Sequence, residues 1–130
     1  MAASFYTWKE SYALKAHAAL EDGLGVVIAS DDAHFLGTTG FPAAGAKVDF
    51  VTVTRTTEAG QSVDVARVSL GDVVQLRADA AIAYGADVAA KTNGRFITAV
   101  ATNNVQYRAL QAATQGSVFS AMRVDAFAKA

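Results

Sequence analysis

Two nine-residue stretches of this chain follow nearly the same pattern. "GQSVDVARV" starts at Gly60 and "GSVFSAMRV" at Gly116, so that Arg67 falls on Arg123 and Val68 on Val124. A second pair lies upstream of these: "AALEDGLGVVI" from Ala18 matches "AAIAYGADVAA" from Ala80, with Leu20 on Ile82 and Gly23 on Gly85. The offset is 62 in the upstream pair and 56 in the downstream pair, so one connection differs in length by six residues. A chain built this way must fold as two like halves, each a turn, a strand, a hairpin and a closing strand. At 130 residues it is long enough for one core, burying roughly two-thirds of its unfolded surface.

The local patterns read as strands. "KVDFVTVTRTT" sets Val48, Phe50 and Thr52 against Asp49, Val51 and Val53, and "QSVDVARV" sets Val63, Val65 and Arg67 against Asp64, Ala66 and Val68. This is period-2 alternation rich in β-branched residues. A turn over residues 58–61 joins them as a hairpin. Asn93-Gly94 between extended flanks is the strongest short hairpin signal in the chain. Thr114-Gln115-Gly116 joins the last two strands, and residues 30–45, holding the single proline Pro42, read as a loop. Residues 77–91 are alanine-rich and helical on propensity, but Gly85 interrupts them. Thr7 to Glu10 matches a capping box; the alternation of Tyr12, Leu14 and Ala16 against Ala13, Lys15 and His17 favours a strand from about Tyr12. The expectation is a mainly β protein with little helix: a small antiparallel barrel or sandwich over 12–130 in two pseudo-repeated halves, with an extended N-terminal arm over 1–11.

Alanine is the commonest residue, 29 of 130, yet charged residues are only 18%. A soluble helical bundle needs a charged outer face, and that face is missing here. The formal net charge of -1 offers no broad field to nucleic acid or anionic lipid. The six arginines Arg55, Arg67, Arg77, Arg95, Arg108 and Arg123 are spread over different strands and matched by nine aspartates and three glutamates. No membrane span and no secretory leader is expected.

Catalytic signatures are equally thin. There is no cysteine, no Gly-x-Ser-x-Gly elbow and no phosphate-cradling glycine loop. Asp31, Asp32 and His34 sit together in "SDDAHF"; they would be the ligands of a metal or hydrolytic site, but two adjacent aspartates in a loop are more often a solvated turn. No enzyme activity, metal or cofactor is expected. What stands out is an aromatic cluster: Phe5, Tyr6, Trp8 and Tyr12 fall within eight residues. Aromatic side chains concentrate at the energetic centres of interfaces, so these four are the candidate interface residues. The competing expectation is that the arm folds back on its own core.

From Tyr12 to Phe127 the chain resembles the capsid cement, or head decoration, proteins of tailed phages. The residues that carry the resemblance are "AAIAYGADV" at 80–88, the "NGRF" turn at 93–96, "ALQAATQGSV" at 109–118 and a closing strand at the end of the chain. The resemblance implies a β-tulip-like structural domain on the outer capsid surface of the virion. It would be made in the host cytoplasm and clamp neighbouring copies of a major capsid protein. It also implies a homo-oligomer, a trimer before a dimer, with no nucleic-acid or membrane partner. The alternative is a stand-alone β-domain that binds carbohydrate or host-surface ligands through strand-face aromatics such as Tyr84, Phe96 and Tyr107. Arg67 and Arg123 would be either solvated strand ends or equivalent contacts to a partner.

Overall fold

The computed structural model describes residues 10–29 and 38–130. Among these described residues ten strands follow one another: β1 (Glu10–Lys15), β2 (Gly25–Ala29), β3 (Thr38–Gly40), β4 (Phe50–Thr52), β5 (Ser62–Arg67), β6 (Val73–Arg77), β7 (Asp87–Ala90), β8 (Phe96–Thr98), β9 (Asn104–Ala109) and β10 (Val118–Ala128). No helix occurs among the described residues, and the expected mainly β class is what they adopt. The first strand begins at Glu10, two residues before the start read from the alternation. The stretch 30–45 is not one loop, because β3 lies within it.

The first sheet is a closed barrel in the order β1-β3-β2-β4-β5. Parallel pairing of Lys15 with Thr38 and antiparallel pairing of β1 with β5 complete it. The second sheet runs β6-β10-β9-β7-β8, and a single parallel bridge joins Ala78 to Phe96. Taken strand for strand, the two sheets follow the same order. Their registers agree as well. Lys15 faces Ser62 and Leu14 faces Val63; 62 and 56 residues on, Arg77 faces Val118 and Leu76 faces Phe119. Gly25 faces Val51, and Asp87 faces Arg108, an offset of 57 on the second strand. The offset is therefore 62 through β2, 57 for β3 and β4, and 56 for β5. Five of the six residues are lost between β2 and β3, and the sixth between β4 and β5.

The repeated glycines mark conformation. Gly23 and Gly85 have φ +82° and +83°, and Gly60 and Gly116 have +92° and +84°. A side chain would pay for that left-handed backbone. At Gly60, Gly85 and Gly116 a Cβ would meet nothing within 4 Å, so backbone angle alone selects glycine there. The Asn93-Gly94 hairpin forms, pairing Ala90 with Phe96, but only Gly94 has positive φ, +81°. Asn93 instead accepts the Arg95 N–H on Oδ1 at 3.0 Å, and the Lys91 N–H reaches the Arg95 carbonyl at 2.8 Å.

The alanine-rich run at 77–91 becomes the end of β6, a turn and β7. Ala78, Ile82, Val88, Ala89 and Ala90 are all buried there, and Ile82 bridges Ala113. Tertiary burial and pairing outweigh the few tenths of a kcal/mol per residue that propensity offers. The core has two principal parts. Leu14, Leu20, Val26, Val63 and Val65 fill the first barrel. A larger cluster joins Val48, Val51, Ala66 and Val68 of the first half to Leu76, Val88, Phe96, Tyr107 and Phe119 of the second. The alternation of β5 thus breaks at Ala66, because both of its faces are covered. Equivalent positions trade volume: Val63 becomes Phe119, and Val65 becomes Ala121, all at most 1% exposed.

Candidate functional site

Of the four aromatic interface candidates, Phe5, Tyr6 and Trp8 lie outside the described residues. Tyr12 is on β1, 40% exposed, and meets Phe50 edge to face at 5.7 Å. Asp31, Asp32 and His34 also lie outside the described residues. Among the described ones no group of three or more His, Cys, Asp or Glu is placed to hold a metal ion. The strand-face aromatics do not form a shared platform. Tyr84 is 75% exposed, but Phe96 is 2% and Tyr107 3% exposed. Both belong to the core and stack edge to face at 5.8 Å. Burial pushes the Tyr107 phenol up to about 12, the neighbouring Arg123 charge opposing the shift.

The polar chemistry concentrates where the halves meet. Arg95 grips Glu21 with Nε to Oε1 at 3.0 Å and Nη2 to Oε2 at 2.9 Å. Arg77 donates to the Asp22 carbonyl at 3.0 Å, to Asp22 Oδ1 at 2.8 Å and to the Gly116 carbonyl at 2.7 Å. Lys91 and Arg95 bracket Asp79 at 2.7 and 3.5 Å. The Arg95 hydrogen bond holds the Glu21 carboxyl below its ordinary range, and the Lys91 hydrogen bond does the same for Asp79. Arg95 is shifted up in return, chiefly by its hydrogen bond to Glu21. The backbone joins in: the Arg77 N–H reaches the Gly23 carbonyl at 2.9 Å and the Gly25 N–H the Gly94 carbonyl at 2.8 Å. These are fixed ion pairs between turn and loop residues and the end of β6, and their acids and bases are already partnered.

One seam residue carried no signal in the sequence. Gln106, 7% exposed, accepts the Val48 N–H on Oε1 at 2.8 Å and donates Nε2 to the Val48 carbonyl at 3.2 Å. Its amide acts as a piece of strand that bonds β9 to the first half. A lone glutamine in "VQYR" does not reveal such a partner 58 residues away.

Arg67 and Arg123, left open by the sequence, come to the same place. Both line a cavity of about 420 Å³ beside the 68–70 linker, together with Asp49 and Gln106. The pairs are equivalent, Arg67 with Arg123 at 56 and Asp49 with Gln106 at 57, so the cavity lies where matching positions of the two halves converge.

No family model matches the chain, and no curated protein matches it either. Among solved structures the fold is similar to the crystal structure of head fiber gp8.5 N base in bacteriophage phi29. The TM-score is 0.73 at 17% identity, over 88% of this chain and 92% of that one. At that identity the likeness is one of fold.

Proposed function

We propose that this protein is a phage head-associated structural protein that acts by binding rather than by catalysis. The observation that carries the reading is the near-complete overlap of its fold, 88% of this chain against 92% of the other, with the base of a head fiber. On this reading the chain docks on the outside of an expanded capsid, bridges copies of the major capsid protein, and self-associates, as a trimer before a dimer. The aromatic arm with Tyr12 supplies contacts to the neighbour. The repeat fits the same role, since its conserved letters serve turns, registers and packing. The carbohydrate-binding alternative loses its main support, because two of its three aromatics are core residues.

The test is co-sedimentation of the purified chain with expanded heads assembled without it, followed by electron microscopy of the decorated particles. Saturable binding with density at a fixed symmetry site is expected. Removal of residues 2–9 should weaken binding and leave the strand spectrum intact. Heads that sediment bare at saturating protein overturn the reading.

A further inference from the structure

The second copy of the repeat runs on as a strand where the first copy turns. After Val68 the chain bends through Leu70, Gly71 and Asp72 into β6, whereas after the equivalent Val124 β10 continues to Ala128. β6 pairs with β10 only from Val118 to Met122. Among the described residues the last backbone bonds on that side join Arg123 to Gly71 and Asp72, at 2.9 Å each. Beyond them β10 is held from one side alone, by β9, with Phe127 facing Val105 and Ala128 facing Asn104. Just before, the register slips, and residues 124–126 have no facing partner on β9. Asp125, Ala126, Phe127 and Ala128 are all exposed, Phe127 to 39%.

The backbone of this stretch is open on its outer side. The Lys129 N–H donates to the Asn103 carbonyl at 2.8 Å, and the Lys129 carbonyl accepts the Thr102 N–H at 2.9 Å. Both groups therefore face the turn that leads into β9. Backbone groups alternate in direction along a strand. The N–H and carbonyl of Ala128 and the carbonyl of Ala126 thus point the other way, where no described residue pairs with them. Such an edge is a template for one more strand.

The letters at the edge select the strand that fits. Asp125-Ala126-Phe127-Ala128-Lys129 is symmetric about Phe127, except that its two ends carry opposite charges. Two copies laid antiparallel about a two-fold axis at Phe127 place Asp125 opposite the partner's Lys129 and Ala126 opposite the partner's Ala128. Each Ala128 N–H then meets the partner's Ala126 carbonyl. The two phenyl rings meet at the non-hydrogen-bonded position, where facing side chains come closest. The charges are available for this. Among the described residues Asp125 meets no cation, and Lys129 meets only Asp87, at 3.5 Å with its side chain 40% exposed. An ammonium has three donors, so Lys129 can take a second carboxylate. A second copy supplies every complementary element through one repeated patch.

We propose that residues 125–129 of β10 and its end pair with the same residues of a second copy, antiparallel and centred on Phe127. The contact gives the self-association proposed above a surface and needs no capsid. Being two-fold, it makes an isolated pair or joins neighbouring trimers. The patch is small, so in solution the dissociation constant should be on the order of 0.1 mM. Repetition over a particle would strengthen it by avidity.

The test is cross-linking joined to sedimentation equilibrium. The chain has no cysteine, so single replacements report the register. Facing residues at the centre lie about 4.5 Å apart at Cα, within reach of a disulfide. Under mild oxidation Phe127→Cys should therefore dimerise at least about tenfold faster than Asp125→Cys, which lies well away from its own copy. Mixed Asp125→Cys and Lys129→Cys should link to each other in preference to themselves. In sedimentation the parent should pair reversibly. Ala128→Pro removes the outward N–H and leaves the β9 ladder intact, and Asp125→Lys sets like charges face to face. Each should raise the dissociation constant at least about fivefold, with circular dichroism reporting that both variants are folded. Equal linking of Phe127→Cys and Asp125→Cys, pairing untouched by both surface variants, or a parent that stays monomeric at several times that concentration overturns the proposal. So does an Ala128 amide protected from exchange at high dilution until residues 2–9 are removed, because the chain's own arm then covers the edge. A protein that pairs but leaves heads bare overturns the capsid reading alone.

Discussion

Replacing Gly25 by alanine should destabilise the protein through one crowded point of the seam. Gly25 opens β2 and its N–H bonds to the Gly94 carbonyl of the other half. A Cβ placed there lies 2.7 Å from Val48 Cγ1 and 3.0 Å from Phe96 Cζ, where relaxed carbons sit about 3.5–4.0 Å apart. Neither neighbour has open space to enter, Val48 being 5% and Phe96 2% exposed. Overpacking of this kind costs about 1–3 kcal/mol, and the lost freedom of the unfolded glycine returns about 0.4–1 kcal/mol. The net loss should be about 1–2 kcal/mol, or roughly 3–8 °C in Tm for a chain of this size. Urea unfolding followed by circular dichroism reads it as a lower midpoint with an unchanged slope. Val48→Ala removes the shorter contact. The double variant should therefore be more stable than the sum of the two single losses by about 1 kcal/mol. A Gly25→Ala protein within about 0.5 kcal/mol of the parent, or strict additivity with Val48→Ala, would refute the argument.

Two further outcomes follow from the titrating groups. His17 shares Nδ1 with Thr39 Oγ1 at 2.9 Å while its buried Nε2 has no partner among the described residues, and burial lowers its pKa below 6.5. The unfolded chain then takes the proton first, so stability present above pH 6.5 is lost as the pH falls below it. The urea midpoint of the parent should drop more between pH 7.5 and 5.5 than that of His17→Asn, and parallel declines would contradict this. Arg95→Gln breaks the two-pronged contact to Glu21 and should cost about 1 kcal/mol at neutral pH. Because Glu21 is held below its ordinary 4.5, the contribution is present above that value. It fades as the pH falls through the lowered one, so the parent and the variant should converge in acid; a gap that persists there would sink the assignment.

Much of the fold was legible because the chain states it twice. The matched glycines are positions of left-handed backbone, and the two offsets are strand registers, so both survive as letters. The hairpin signals worked for the same local reason. What alternation misread were positions decided by the other half. Ala66 and Val68 are buried against the second sheet, Phe96 and Tyr107 are core where their strand faces read as open, and the alanines of 77–91 are drawn into a sheet by Ile82 and Ala113. The seam was harder still. Gly25 has Asp87 at the equivalent position, Glu21 has Ala83 and Arg77 has Lys15, so the contacts between the halves lie where the repeat fails. Nothing in the spacing announces that Gln106 meets Val48 or that Arg67 and Arg123 share a cavity.

The parallel pairing of Lys15 with Thr38 has a consequence for how such a chain meets others. By joining β1 to β3 it leaves the first sheet with no terminal strand whose backbone is offered to a stranger. Exposed edges are where sheets grow from one molecule into the next, and a closed ring withholds that template. Any contact made through the first sheet is therefore left to side chains and loops, a form of contact that can be ordered and finite, where added strands would continue without limit.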